Sequence, residues 1–117
     1  MTFADDLTAG LRLWTKDHNP CVKAAVELIL WHDFWIRRQD FRTRCVIVGS
    51  GVVRIDWDRA RELADSGPRA STSELAILDL AVALGEDRYR LSGMGRAHSR
   101  AIANAMTAAC GIGEIVP

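Results

Sequence analysis

One stretch limits what this chain can fold into more than any other: NPCVKAAVELILWHDF, residues 19–34. Asn19 is a strong helix N-cap, and Pro20 suits the first helical position, where no backbone N–H is needed. From Cys21 to Phe34 only Lys23, Glu27, His32 and Asp33 are polar. A helix apolar on nearly every face must be surrounded by other elements, so this segment is expected to be the central helix of a packed domain.

The remaining segments supply elements to surround it. Phe3, Leu7, Leu11 and Trp14 fall at helical spacing over residues 3–14, with Asp5 and Asp6 in the first turn, where carboxylates suit the helix dipole; Gly10 weakens that helix. Asp56 caps a helix over WDRARELAD, which Gly67 and Pro68 end. Ser71 and Glu74 have capping-box spacing ahead of LAILDLAVALG, a second nearly all-apolar helix closed by Gly85. A polar connection, EDRYRL, leads to a last helix starting at Ser92 and running from about Gly93 to Cys110. Its inner stripe is expected to be Met94, Ala97, Ala101, Ile102, Ala105, Met106 and Ala109. The tail GIGEIVP is expected to fray or pack loosely.

Residues 40–55 read two ways. Phe41, Cys45 and Val48 stand at i, i+4 and i+7, which favours a short helix from Asp40 to Gly49. The β-branched runs on either side of Gly49-Ser50-Gly51 fit a hairpin equally. The preferred reading is a short helix, a turn at 49–51, and a strand at Val52–Ile55 that pairs with Trp35–Arg37. The expected fold is all-α: one domain over residues 1–117, a compact bundle of five or six helices, with at most one short two-strand element around residues 35–55.

Composition narrows function by exclusion. The chain is 49% hydrophobic and 26% charged, which is globular rather than disordered. Fifteen basic residues balance fifteen acidic ones, which argues against a polyphosphate as the main partner. Cys21, Cys45 and Cys110 are an odd set without regular spacing, each in apolar surroundings. They are expected to be buried free thiols, which indicates a cytoplasmic location. The N-terminus has no secretory pattern, and no segment is expected to cross a membrane.

Candidate sites fare poorly on geometry. Cys21 and His32 lie about 16 Å apart along one helix, too far to share an ion, so no metal is expected. No nucleophile elbow or phosphate loop is present, and the cysteines sit on apolar stripes rather than in electropositive settings. No cofactor and no catalytic residue are assigned.

Two arginine groups are candidates for an anionic partner. Arg42 and Arg44 are about 200° apart around a helix, hence on nearly opposite sides, whereas Arg96 and Arg100 are one turn apart. A DNA-binding regulator with a winged-helix-like element would use Arg37 to Arg44 together with Arg96 to Arg100. Phe34, Trp35 and Phe41 read as core rather than as base-stacking platforms. The leading expectation is protein–protein binding, because four tryptophans (14, 31, 35, 57) are many for this length. Trp14 and Trp57, near element ends, and Arg37 and Arg38 are the expected contact residues. Alanines at 97, 101, 105, 108 and 109 suit close helix approach, in a core or in a homodimer through the helix near Gly93–Cys110.

The segments WIRRQDF, IDWDRAR and STSELAILDLAVALGEDRYRL resemble small uncharacterised proteins of high-GC actinobacteria and their phages. That resemblance implies an accessory role, regulatory or directed at a host target, and carries no functional residue across.

Overall fold

A computed structural model describes residues 3–112, with side chains from residue 7 onward. The helical face expected of Phe3 and the charges of Asp5 and Asp6 therefore lie outside the described side chains, and the tail from residue 113 lies outside the described residues. Among the described residues, six α-helices and one two-stranded antiparallel sheet form the fold: α1 Phe3–Thr15, α2 Pro20–His32, α3 Gln39–Cys45, β1 Val46–Gly49, β2 Val52–Ile55, α4 Trp57–Asp65, α5 Thr72–Gly85 and α6 Arg96–Ala109.

Local signals set most boundaries as expected. The Asn19 side chain accepts from the Val22 N–H at 3.0 Å, with Pro20 in the first turn of α2. Asp33, in the left-handed region at φ 54°, ends that helix one residue short of Phe34. Asp56 accepts from the Arg59 N–H at the start of α4. The capping box of α5 is complete: Ser71 Oγ accepts from the Glu74 N–H at 3.2 Å, and the Glu74 carboxylate accepts from the Ser71 N–H at 2.8 Å.

The two most apolar helices, α2 and α5, form the most extensive helix pair. Around them, α1 packs on α2 and β2, while α4 packs on α3 and α5. Val26 and Ile29 of α2 and Leu78, Ala81 and Val82 of α5 meet Leu11, Trp35, Phe41, Ile55 and Leu63 in one continuous core. Each fully buried large side chain of this kind contributes about 1.5–3 kcal/mol. Trp35 is completely buried, and its indole N–H donates to the Glu74 carbonyl at 2.8 Å, so no polar atom of the ring is left unpaired. Gly10 has a packing role that offsets its low helix propensity. A β-carbon there would stand 2.7 Å from Val53 Cγ2, so its absence lets the hairpin lie directly on α1.

Residues 45–55 combine both sequence readings. Phe41 and Cys45 are buried on α3, as the spacing predicts, but the helix stops at Cys45 and the β-branched run 46–48 is a strand. Val48, expected on the inner helical face, is instead 64% exposed near the hairpin tip. β2 pairs with β1 in the register Val46↔Ile55 to Gly49↔Val52 and not with Trp35–Arg37, which form a single 3-10 turn. Ser50 (φ 53°) and Gly51 (φ 76°) both take positive φ, the requirement of a two-residue turn whose twist matches a hairpin.

The last helix departs furthest from expectation. Ser92 belongs to a 3-10 turn at Leu91–Gly93, α6 starts at Arg96, and none of its residues is buried. The expected inner stripe of Met94, Ala97, Ala101, Ile102, Ala105, Met106 and Ala109 thus lies half-covered or exposed, and Cys110 is an exposed thiol rather than a buried one. The radius of gyration, 15.0 Å, exceeds the roughly 13 Å usual for this length because α6 stands away from the core.

Candidate interaction surface

The segment between α5 and α6 builds a groove. After Gly85 the chain turns through two left-handed residues, Asp87 (φ 53°) and Arg90 (φ 52°), into the Leu91–Gly93 turn. Asp87 anchors this segment. Its carboxylate accepts from the Ser92 hydroxyl at 3.2 Å, and it lies beside the Cys21 thiol at the start of α2. Burial, reinforced by the Asp87 carboxylate, pushes the Cys21 thiol above its ordinary pKa and keeps it protonated. α6 then runs beside the end of α5 and leaves an open groove of about 670 Å³, lined by Leu80, Leu84, Tyr89, Leu91, Met94, Ile102 and Met106, with Ser99 and Ala103.

Apart from the hydroxyls of Ser99 and Tyr89, that lining carries no polar side chain. It holds no acid, base or thiol to polarise a substrate, so its chemistry is apolar contact. Tyr89 is 54% exposed, Met106 47% and Ile102 37%, and Ile112 lies just beyond the end of α6. These four are half of the large exposed hydrophobics among the described residues.

Comparison with protein-family models, with curated proteins and with solved structures finds no match. The residues themselves therefore carry the functional argument.

Trp14 and Trp57, far apart in sequence, line one cleft of about 510 Å³ together with Arg54, Asp56, Asp58, Gly85 and Glu86. Both are only half-exposed: Trp14 stacks at a tilt on His18 with centroids 5.0 Å apart, and Trp57 lies on Gly85. The tryptophan that faces solvent is Trp31, 79% exposed on the outer side of α2. The all-apolar look of α2 hid it, because nothing in the sequence shows which face the other helices leave open.

Arg37 and Arg38 are engaged within the fold. Arg37 pairs with Asp33 at 2.8 Å. Arg38 grips the Asp40 carboxylate with two bonds of 2.7 and 3.0 Å, donates to the Arg69 carbonyl at 2.6 Å and stacks 4.7 Å from the Trp35 ring. This pairing holds the Asp40 carboxyl below its usual pKa. Arg42 is half-buried on α3, while Arg44 is exposed in its last turn. Arg96 and Arg100 project from α6 and make no ion pair among the described residues. The fold does not pack the two arginine groups together: α3 packs on α4, and α6 has no extensive contact with α3.

Among the described residues no three His, Cys, Asp or Glu side chains gather as metal ligands would, and no helix is long and apolar enough to cross a membrane. The groove was the feature missed from the sequence, although a signal existed. The apolar side of α6 is mostly alanine, whose burial contributes little, whereas α2 and α5 are rich in Leu, Ile and Val.

Proposed function

We propose that this chain is a small, non-catalytic accessory protein that acts by binding protein, in a regulatory or host-directed role, through the face formed by the end of α5, residues 89–94 and α6. The observation that carries this reading is a 14-residue helix with no buried residue that nonetheless presents Ile102 and Met106 beside an apolar groove. A helix of that length is marginal by itself in water, and a protein surface that covers its apolar side stabilises it. Trp14, Trp57 and Arg38 are half-buried in packing or pairing within the fold, and Arg37 is exposed in an ion pair with Asp33, so these four rank behind the α6 face as contacts.

A photo-crosslinking residue placed at Ile102, with Thr43 on α3 as the control position, tests the proposal in living cells. A protein adduct at Ile102 and none at Thr43 is expected. Adducts at neither position, together with undiminished function of Ile102→Asp, overturn it.

DNA binding is the second reading. What favours it is element order: α2, α3 and then the β1–β2 hairpin follow one another as helix, helix and wing, with Arg44 and Arg54 exposed on them. Duplex binding that is present at about 50 mM salt and collapses at about 200 mM would support it, since phosphate contacts release counterions. No binding at the lower salt removes it.

A further inference from the structure

We infer that the partner of this face is a second copy of the chain, with the two α6 helices antiparallel about a twofold axis; this rests on the protein-binding reading above. Three observations point there.

The first is self-complementarity. The ridge (Ile102, Met106) and the groove floor (Leu84, Leu91) belong to the same face. A twofold contact brings one surface against itself, so each copy can place its ridge in the groove of the other. The product is a four-helix arrangement of two α5 and two α6 helices.

The second is charge. Within its own chain α6 has both ends mismatched to its dipole. Gly95 provides no side-chain cap, the first turn has no acid, and the last turn has no base. Its formal cations, Arg96 and Arg100, lie in the N-terminal half instead, without an ion pair among the described residues. An antiparallel second copy repairs the far end. The arginines of each helix then lie along the partner's last turn, at the negative end of its dipole.

The third is spacing. The midpoint of α6 falls at Ile102 and Ala103, and Ala103 lines the groove. A small residue at the crossing point lets two helices approach closely. Crossing there sets residue 96 opposite residue 110 of the other copy. The shared face is about 21 Å long and roughly two helix diameters wide, near 400 Å² in projection on each copy, below the roughly 800 Å² per partner of a standard stable interface. A weak, concentration-dependent association follows.

Sedimentation velocity on the full chain from about 1 to 200 µM reads the mass directly. A shift from 12.9 kDa toward twice that value with rising concentration is expected. Ile102→Asp and Met106→Asp should hold the protein at monomer mass with far-UV circular dichroism unchanged, because both side chains lie outside the core. Arg96→Glu with Arg100→Glu should weaken association roughly tenfold or more at low salt, and less at high salt. Arg96→Cys should form a disulfide with the exposed Cys110 of the other copy under mild oxidation, while the unaltered chain should not join through Cys110 to Cys110.

A monomer throughout the range overturns the second copy. A dimer that survives both Asp variants, or one that joins Cys110 to Cys110, overturns this geometry. The two readings fail separately: a monomer that still gives an adduct at Ile102 with a different protein keeps the binding function and removes only self-association.

Discussion

The indole of Trp57 lies against the backbone of Gly85, with its ring-fusion atoms too close to leave room for a β-carbon on that residue. The first residue of α4 and the last of α5 thereby lock two helices together, beneath the cleft that Trp14 also lines. Gly85→Ala must displace the ring, and a loss of about 2–3 kcal/mol is expected despite the higher helix propensity of alanine. Urea unfolding checks this. Pairing Gly85→Ala with Trp57→Leu should recover part of the loss, because the smaller side chain leaves room.

Substitutions on α6 should separate cleanly from those in the core. In dilute solution, where association is absent, Ile102→Ala and Met106→Ala should each cost less than about 1 kcal/mol. Leu78→Ala, fully buried on α5, should cost about 2–5 kcal/mol. Equal losses at the two positions would show that α6 is part of the core.

Cys45 couples stability to alkaline pH. Burial raises its pKa from 9.0 to about 11. Between those values the unfolded chain has released a proton that the folded chain still holds. Stability is therefore full below pH 9 and falls as pH rises through 11, by roughly 2–3 kcal/mol at the limit. Denaturant midpoints measured from pH 8 to 11 should show this slope in the native chain, and a shallower one in Cys45→Ala. At pH 8 a thiol reagent should modify Cys110 at once and reach Cys21 and Cys45 only on unfolding.

Ser71→Ala removes one half of the capping box of α5. The Ser71 hydroxyl satisfies the Glu74 N–H, one of the four free donors at that helix start. A loss of about 1 kcal/mol in thermal or urea unfolding is expected, with Ser71→Asp retaining most of the stability.

Arg61 ties α4 to α5 through Asp79 at 2.7 Å and Glu86 at 3.1 Å, with Asp65 of its own helix at 3.6 Å. These carboxylates hold the guanidinium firmly in its charged form. Asp79 and Asp65 are well exposed, so water and salt screen much of the attraction. Arg61→Met should cost about 1 kcal/mol at low ionic strength and less in about 0.5 M salt.

The sequence by itself determined where α2, α4 and α5 begin, where Gly67 and Pro68 break the chain, that α2 holds the centre and that α5 is apolar on nearly every face. Those features rest on interactions spanning three or four residues, a cap bond or an apolar stripe, and such interactions are legible wherever the chain goes. Tertiary structure alone decided the rest. Val46 to Val48 suit a helix or a strand equally until β2 pairs with them and Val53 settles on Gly10 of α1. Gly10 looks like a defect in a helix, and Gly85 like a plain terminator, until the side chains of Val53 and Trp57 that crowd their missing β-carbons are known. Arg38 reads as a surface cation until the Arg69 carbonyl and the Trp35 ring are brought beside it. The outward apolar face of α6 has the same origin. Periodicity shows that a helix has an apolar side, but which side the rest of the molecule covers depends on the volume already filled by α1 to α5.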